Sequence, residues 1–235
     1  MKFLILLLVL VLFSVEATAA FSTVHMQNRC SYTIWPMAAS TVSTPQAMSW
    51  KPNGLPIPSG KNLTFSLPKL LSVDLWARSF CPNTSGLCAT GDCDDDYNCI
   101  PIATTMVRII SGSKQDSYAI TLINGFNIPV LVTPLGNKGC SATSCSVDVN
   151  DRCPSELSVK DLSKDTIACK SACNAFKDNH YCCTGAFDNS KSCQPTSYSV
   201  FFDQACHDAI SYKYDNETKF KTCDTGATYV VTFCP

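Results

Sequence analysis

Beyond its first twenty residues the chain holds only two glutamates, Glu156 and Glu217, so aspartate carries nearly all of its acid. Neither glutamate falls on the strand-rich parts of the sequence, which removes them from any carboxyl pair on a sheet face. Histidine is scarcer than in most enzymes: His25, His180 and His207 are the three present. With no serine in an elbow motif and no thiol left over, they form no nucleophilic triad, and they read as surface histidines. Lysine and arginine are scattered singly and the formal net charge is −1. That excludes the counterion-release footprint of a nucleic-acid binder and a polybasic membrane patch. Paired C-x-x-C knuckles are missing, which argues against zinc even at Cys182 and Cys183 with His180 close by. Apart from the eleven residues FLILLLVLVLF at positions 3–13 no long apolar run occurs. That run is about half the ~20 residues a span requires.

Read with SVEATAA behind it, this run is a signal peptide, residues 1–19, with Ala17 and Ala19 meeting the small-x-small rule. The mature product is expected to be secreted and extracellular, with no membrane span. Sixteen cysteines, an even number, suit an oxidising destination and imply eight bridges and no free thiol. Asn62, Asn83 and Asn216 open N-x-S/T acceptor sites for glycan. No sequence feature calls for a cofactor, and the chain is expected to be a monomer.

From Phe21 to about Val132, short segments rich in β-branched and aromatic residues (STVHMQN, YTIWPMA, NLTFSLP, VDLWARSF, TTMVRII, SYAITLI, IPVLVTP) alternate with turn clusters such as PNGLPIPSG. This pattern predicts a β-sandwich or barrel, and ATYVVTFCP predicts a last strand that returns to it. Between Cys140 and Cys206 cysteines crowd and apolar runs shorten. There DTIACKSACNAFKDN predicts a helix over 165–179, with Asp165 as N-cap and Cys169 and Cys173 projecting from one face. The fold class is mainly β: a sandwich from 20–78, 103–146 and 207–235, a small disulfide loop region at 79–102, and a disulfide-rich, partly helical part at 147–206. Trp35, Trp50 and Trp76 read as core rather than as sugar platforms.

The stretch CATGDCDDDYNC, residues 88–99, gathers Asp92, Asp94, Asp95 and Asp96. Alternate oxygens suggest a calcium loop, but Tyr97 sits where the turn needs glycine and Ala103 where a glutamate would close the shell. The reading preferred is a solvated acidic tip with no metal.

The motifs NRCSYTIWP, LWARSFC, CATGDC, INGFNIPV, YCC, YSVFFDQACHDAISY and terminal VTFCP together resemble the thaumatin-like family, which includes osmotins and pathogenesis-related plant proteins. The resemblance runs from the first mature strand to the last residue. It implies bridges Cys30–Cys234, Cys81–Cys88, Cys93–Cys99, Cys140–Cys223, Cys145–Cys206, Cys153–Cys169, Cys173–Cys182 and Cys183–Cys193. The first would close nearly the whole mature chain, worth roughly 5 kcal/mol in the chain-entropy model against roughly 2 for a ring as small as Cys93–Cys99. Two departures appear: a short Cys81–Cys88 loop with Thr84 where the family has glycine, and aspartates in place of a Gly-Gly turn.

Antifungal members of the family line a cleft with one arginine and four acids, thought to hold β-1,3-glucan or a receptor. Carried over, the arginine is Arg78, and the acids map to Val107, Ala119, Asn124 and Asp208, so three of the four carboxylates are missing. On this mapping Asp116 points to the opposite face of its strand and Arg108 faces away from the cleft. Arg78 and Asp208 are read either as ligand contacts or as an ion pair joining two lobes. What the resemblance implies is a secreted defence or stress protein that binds a cell-wall, β-glucan-like polysaccharide or a surface protein through Arg78, Asn124 and Asp208, without catalysis. The alternatives are a weak endo-β-1,3-glucanase and a protein-interaction ligand or inhibitor.

Overall fold

The structure, a computed structural model, describes residues 21–40, 54–82, 87–92, 101–136, 139–215 and 217–235. Cys93, Cys99, Asn83, Asn216, Trp50 and Asp94 to Asp96 lie outside the described residues, as does the leader. Thirteen strands are described. The first sheet runs β3 (Asn62–Leu67), β1 (Ser22–Asn28), β13 (Thr228–Phe233), β8 (Val130–Leu135), β9 (Thr143–Cys145). The second runs β12 (Lys221–Asp224), β6 (Gln115–Thr121), β5 (Met106–Ile110), β4 (Ser72–Ser79), β2 (Ile34–Ser40). A third, small sheet orders β10 (Ser158–Lys160), β11 (Thr166–Lys170) and β7 (Gly125–Phe126).

Alternation along each strand explains the sandwich. In β1 every second residue is buried, and Val24 and Met26 meet Tyr229, Val231, Val130 and Val132 from their own sheet and Val73, Leu75, Val107, Ile109, Tyr118 and Ile120 from the other in one core. The last strand does return: β13 pairs parallel with β1, Val24 opposite Tyr229, and antiparallel with β8. Asn62 is exposed on β3, an edge strand. No described helix is long and apolar enough to cross a membrane.

Asp116 of β6 points between the sheets and is fully buried. Its carboxylate accepts from Ser22 Oγ at 2.6 Å, the Tyr229 hydroxyl at 3.1 Å, Gly112 N at 3.0 Å and Thr225 Oγ1 at 3.1 Å. Donors from the first sheet and from turns next to the second thus converge on one charge, which substitutes for lost water. Burial and the charge of Asp116 together push the Tyr229 phenol far above its ordinary range.

Seven bridges close among the described residues: Cys30–Cys234, Cys81–Cys88, Cys140–Cys223, Cys145–Cys206, Cys153–Cys169, Cys173–Cys182 and Cys183–Cys193. In the cysteine-rich part the predicted helix over 165–179 is corrected. Its first third is strand β11, where Cys169 pairs with Phe126 across the sheet. Helix α1 (Ala172–Phe176) begins only after Ser171, whose hydroxyl accepts from Asn174 N. Cys169 and Cys173 therefore sit on different elements, and each is bridged to a separate partner. The cause is a vacant ladder: Gly125 at φ +106 brings its backbone so close to β11 that a Cβ there would lie 2.1 Å from Cys169 O, and strand pairing wins over a short run's helical propensity. After α2 (Asn179–Cys182), a third helix that the sequence reading did not predict, α3 (Ser197–Ala205), is opened by a Thr196/Ser199 capping box and buries Phe202.

Candidate functional site

On β4, the side chains of Asp74, Trp76 and Arg78 alternate with core residues Val73, Leu75 and Ala77 and so share the outer face of the second sheet. Register carries that face sideways. Asp74 lies opposite Arg108 of β5, and Arg108 opposite Ala119 of β6. Val107, one residue earlier, lies opposite Leu75 and is buried in the sandwich core.

This corrects the mapping made from sequence. Arg108 does not face away; it shares the face of Arg78 and Ala119, and Val107 is the residue turned inward. The carry-over onto this strand was one residue out of register, enough to exchange the two faces. A base, not a valine, stands on the face at this point. Asp116, expected on the opposite side, is the interior carboxylate described above.

Two pairs of opposite charges stand on this face among the described residues. Arg108 grips Asp74 with two parallel bonds, Nε to Oδ1 and Nη2 to Oδ2, both 2.7 Å, the bidentate form that gives a charge-assisted pair its strength. The Asp74 bond raises the Arg108 pKa further. Arg78 Nη1 lies 3.4 Å from Asp92 Oδ1, while Asp92 Oδ2 also accepts from the backbone of Cys88. Arg78 Nε is buried and has no hydrogen-bond partner among the described residues. Asp92 reaches this place because its loop lies flat on β4: Gly91, at φ +70, comes so close that a Cβ there would stand 2.8 Å from Ala77 O, and Gly91 O accepts from Trp76 Nε1 at 2.9 Å.

Trp76, Met37 and Met106 form a small apolar cluster on the same face, separate from the main core. Asn124, in the turn after β6, is half-buried and donates from Nδ2 to Met106 Sδ at 3.0 Å. Its main-chain oxygen accepts from Asn174 Nδ2 at 3.1 Å, tying the turn to α1. Asp208 follows α3, two residues before the bridge between Ile210 and Thr121 at the end of β6. It is 3.4 Å from Lys221 Nζ and its side chain is half-exposed. The lobe-joining pair expected between Arg78 and Asp208 is thus replaced by two separate pairs, because a loop acid reaches Arg78 and a strand lysine reaches Asp208.

Sequence reasoning missed Asp74, Asp92 and Arg108 as members of this face. One of them was readable: in VDLWARS Asp74 stands four residues before Arg78, an even offset that puts both on one side of a strand. Asp92 had no such signal, since a loop folded over a sheet has no period.

A model of the thaumatin family matches residues 28–235, all but the beginning of the chain. The chain belongs to the thaumatin family. Among curated members, thaumatin-like protein 1 of Castanea sativa is 40% identical over 219 residues, covering 88% of each chain. A Prunus avium protein named glucan endo-1,3-beta-glucosidase is 37% identical over 225 residues, 91% of each chain. A solved family 64 laminaripentaose-producing beta-1,3-glucanase from Paenibacillus barengoltzii, complexed with laminarihexaose, superposes with TM-score 0.59 over 94% of this chain and 78% of its own, at 12% identity. That likeness concerns the fold. The family assignment accounts for the sandwich and its bridges, and leaves what the face around Arg78 holds to its own chemistry.

Proposed function

We propose that this thaumatin family member is an exported defence or stress protein that binds a cell-wall glycan or a surface protein non-covalently across the outer face of its second sheet, without cleaving sugar bonds. One observation carries the reading. The acids that pair on this face, Asp74 and Asp92, are each set against a base, Arg108 and Arg78, and Asp208, in the loop after α3, is set against Lys221. Hydrolysis of a glycoside asks for one carboxyl able to donate a proton and a second free to act as nucleophile or base. Carboxylates already engaged by guanidinium or ammonium groups have their oxygens directed at those partners and away from a sugar bond. What such a face offers a ligand is shape and the partly exposed polar side chains of Arg78, Arg108 and Asn124, with Trp76, Met37 and Met106 buried beneath them. Its partners are accordingly less cationic than those of acid-lined relatives. Export is supported by the number of bridges.

The test is a pull-down of the mature protein on insoluble β-1,3-glucan beside an acid-lined relative, with Arg78→Ala as control. Weaker glucan retention than the relative, lowered further by Arg78→Ala, is expected. Retention equal to the relative's overturns the neutral-face reading. The second reading, a weak endo-β-1,3-glucanase, is favoured by the name of the Prunus avium relative. A reducing-sugar assay on laminarin decides it: release by the wild-type protein that disappears in Asp208→Ala would establish the enzyme.

A further inference from the structure

Where β1 runs out and β13 ends, a pocket of about 380 Å³ opens that no part of the reading above uses. Arg29, Ser31, Tyr32, Phe80, Asp148 and Asn150 are among its lining residues. Its volume falls at the small end of the range of ligand sites, about 300–1,000 Å³.

One wall is aromatic. The rings of Tyr32 and Phe80 lie 4.8 Å apart between centroids, and Phe80 is 48% exposed, a large apolar side chain left facing solvent. Its backbone sits at φ +54, in the left-handed region that bulky residues avoid. Immediately after β4 this turn carries the ring to the pocket instead of letting it continue the strand's alternation.

The opposite wall is polar. Asp148 caps the 3-10 turn Val149–Arg152 by accepting from Asn150 N at 3.0 Å. Asn150 is 9% exposed, and its Nδ2 donates to Asn127 O at 3.0 Å and Ile167 O at 3.4 Å. Those two bonds fix the amide's orientation and hold its oxygen, Oδ1, buried, with no hydrogen-bond partner among the described residues. Burial also pushes the Asp148 carboxyl above its usual range and, with the charge of Asp148, raises the Tyr32 phenol.

We propose that this pocket binds a neutral pyranose residue, with the apolar face of the sugar against Phe80 and its hydroxyls donating to the Asp148 carboxylate. An exposed aromatic ring opposite an exposed acceptor suits a ring that has one C–H face and a rim of O–H donors. A purely apolar ligand would leave the carboxylate without a donor. The site lies apart from the Arg78 face and does not require that face to bind anything.

The probes are methyl β-D-glucopyranoside and a β-1,3-linked glucotriose, titrated into isotope-labelled mature protein while the Asn150 side-chain amide is followed by NMR. A saturable shift of that amide is expected with at least one probe. Binding about tenfold weaker is expected in Phe80→Ala and in Asp148→Asn, with none lost in Arg78→Ala. Asparagine at 148 keeps an oxygen that can cap the turn. Should Phe80→Ala fold poorly, Phe80→Leu keeps apolar packing on Tyr32 while removing the ring, and the same loss is expected. Absence of any shift with both probes overturns the proposal, as does wild-type affinity in the Phe80 and Asp148 variants. Loss of binding in Arg78→Ala alone would also overturn it, by moving the sugar to the other face; failure of glucan pull-down with the amide shift intact would count only against the Arg78 face.

Discussion

The two faces of the second sheet handle charge by different means. Inside, no cation stands beside Asp116 among the described residues, and four neutral donors hold it, two from strands of the first sheet and two from turns next to the second. Outside, Asp74 has a guanidinium across the ladder in a place that water partly reaches, the Arg108 side chain being 37% exposed. An interior anion organises the groups around it and is expensive to remove. An exterior pair mainly cancels charge, because solvent screens what it contributes. The first device serves the frame; the second decides what the face can do.

The largest effect expected is therefore from the interior. Asp116→Ala strips the acceptor from Ser22, Gly112, Thr225 and Tyr229 at once and is expected to cost about 3–5 kcal/mol, read as a fall in the urea midpoint with bridges intact. Asp74→Ala on the outside leaves Arg108 unpaired but wetted, and about 1–2 kcal/mol is expected. The double variant Asp74→Ala/Arg108→Leu should recover most of that loss, since a pair removed as a unit leaves no charge orphaned. A recovery below half would mean that the exterior pair organises its surroundings as the interior carboxylate does, and the contrast between faces would fail.

How much of this was legible depended on whether a period was present. Strands such as STVHMQN and VDLWARSF announced themselves, because a sandwich face imposes alternation on residues that must be buried. The interior direction of Asp116 followed from the same parity. The face of β5 did not: Thr104, Thr105, Met106 and Val107 offer no polar marker until Arg108, so a one-residue slip in the family mapping went unchecked until the ladder with Asp74 fixed it. In the cysteine-rich part, bridges and a borrowed strand partner override local preference. IACKSAC looked helical throughout and became the end of β11, the cap Ser171 and only the first residues of α1, while α3 was marked only by the weak signal of Thr196 and Ser199. Asp92 and the Tyr32–Phe80 pocket are products of loops meeting distant strands, which no local pattern encodes.

Alkali separates the interior further. The folded-state Tyr229 pKa is raised far above its unfolded value, which is near 10. Its stabilising contribution is thus complete below pH 10 and is lost as pH climbs beyond it, when the unfolded chain releases a proton that the folded chain keeps. Tyr229→Phe is expected to cost about 1 kcal/mol at pH 8, the worth of one bond to a charged acceptor less some relaxation. It should also flatten the decline in urea midpoint between pH 10 and 11 relative to wild type. An unchanged slope would assign the alkaline decline to the other buried phenols.

The smallest effect expected lies at the rim of the outer face. The Asp208 side chain is 47% exposed and its contact with Lys221 is 3.4 Å, so Asp208→Ala should move stability by less than about 0.5 kcal/mol. On the neutral-face reading it also changes no sugar-releasing activity, because the carboxylate is neither aimed at a partner acid nor screened from water. Lys221→Ala is its counterpart: it frees Asp208 without adding a second carboxyl, and a lone acid lacks the partner that glycoside cleavage needs. If laminarin hydrolysis appeared in Lys221→Ala and vanished again in the double variant with Asp208→Ala, pairing alone would have been restraining a competent acid, and the distinction drawn between the two faces would be one of regulation rather than of construction.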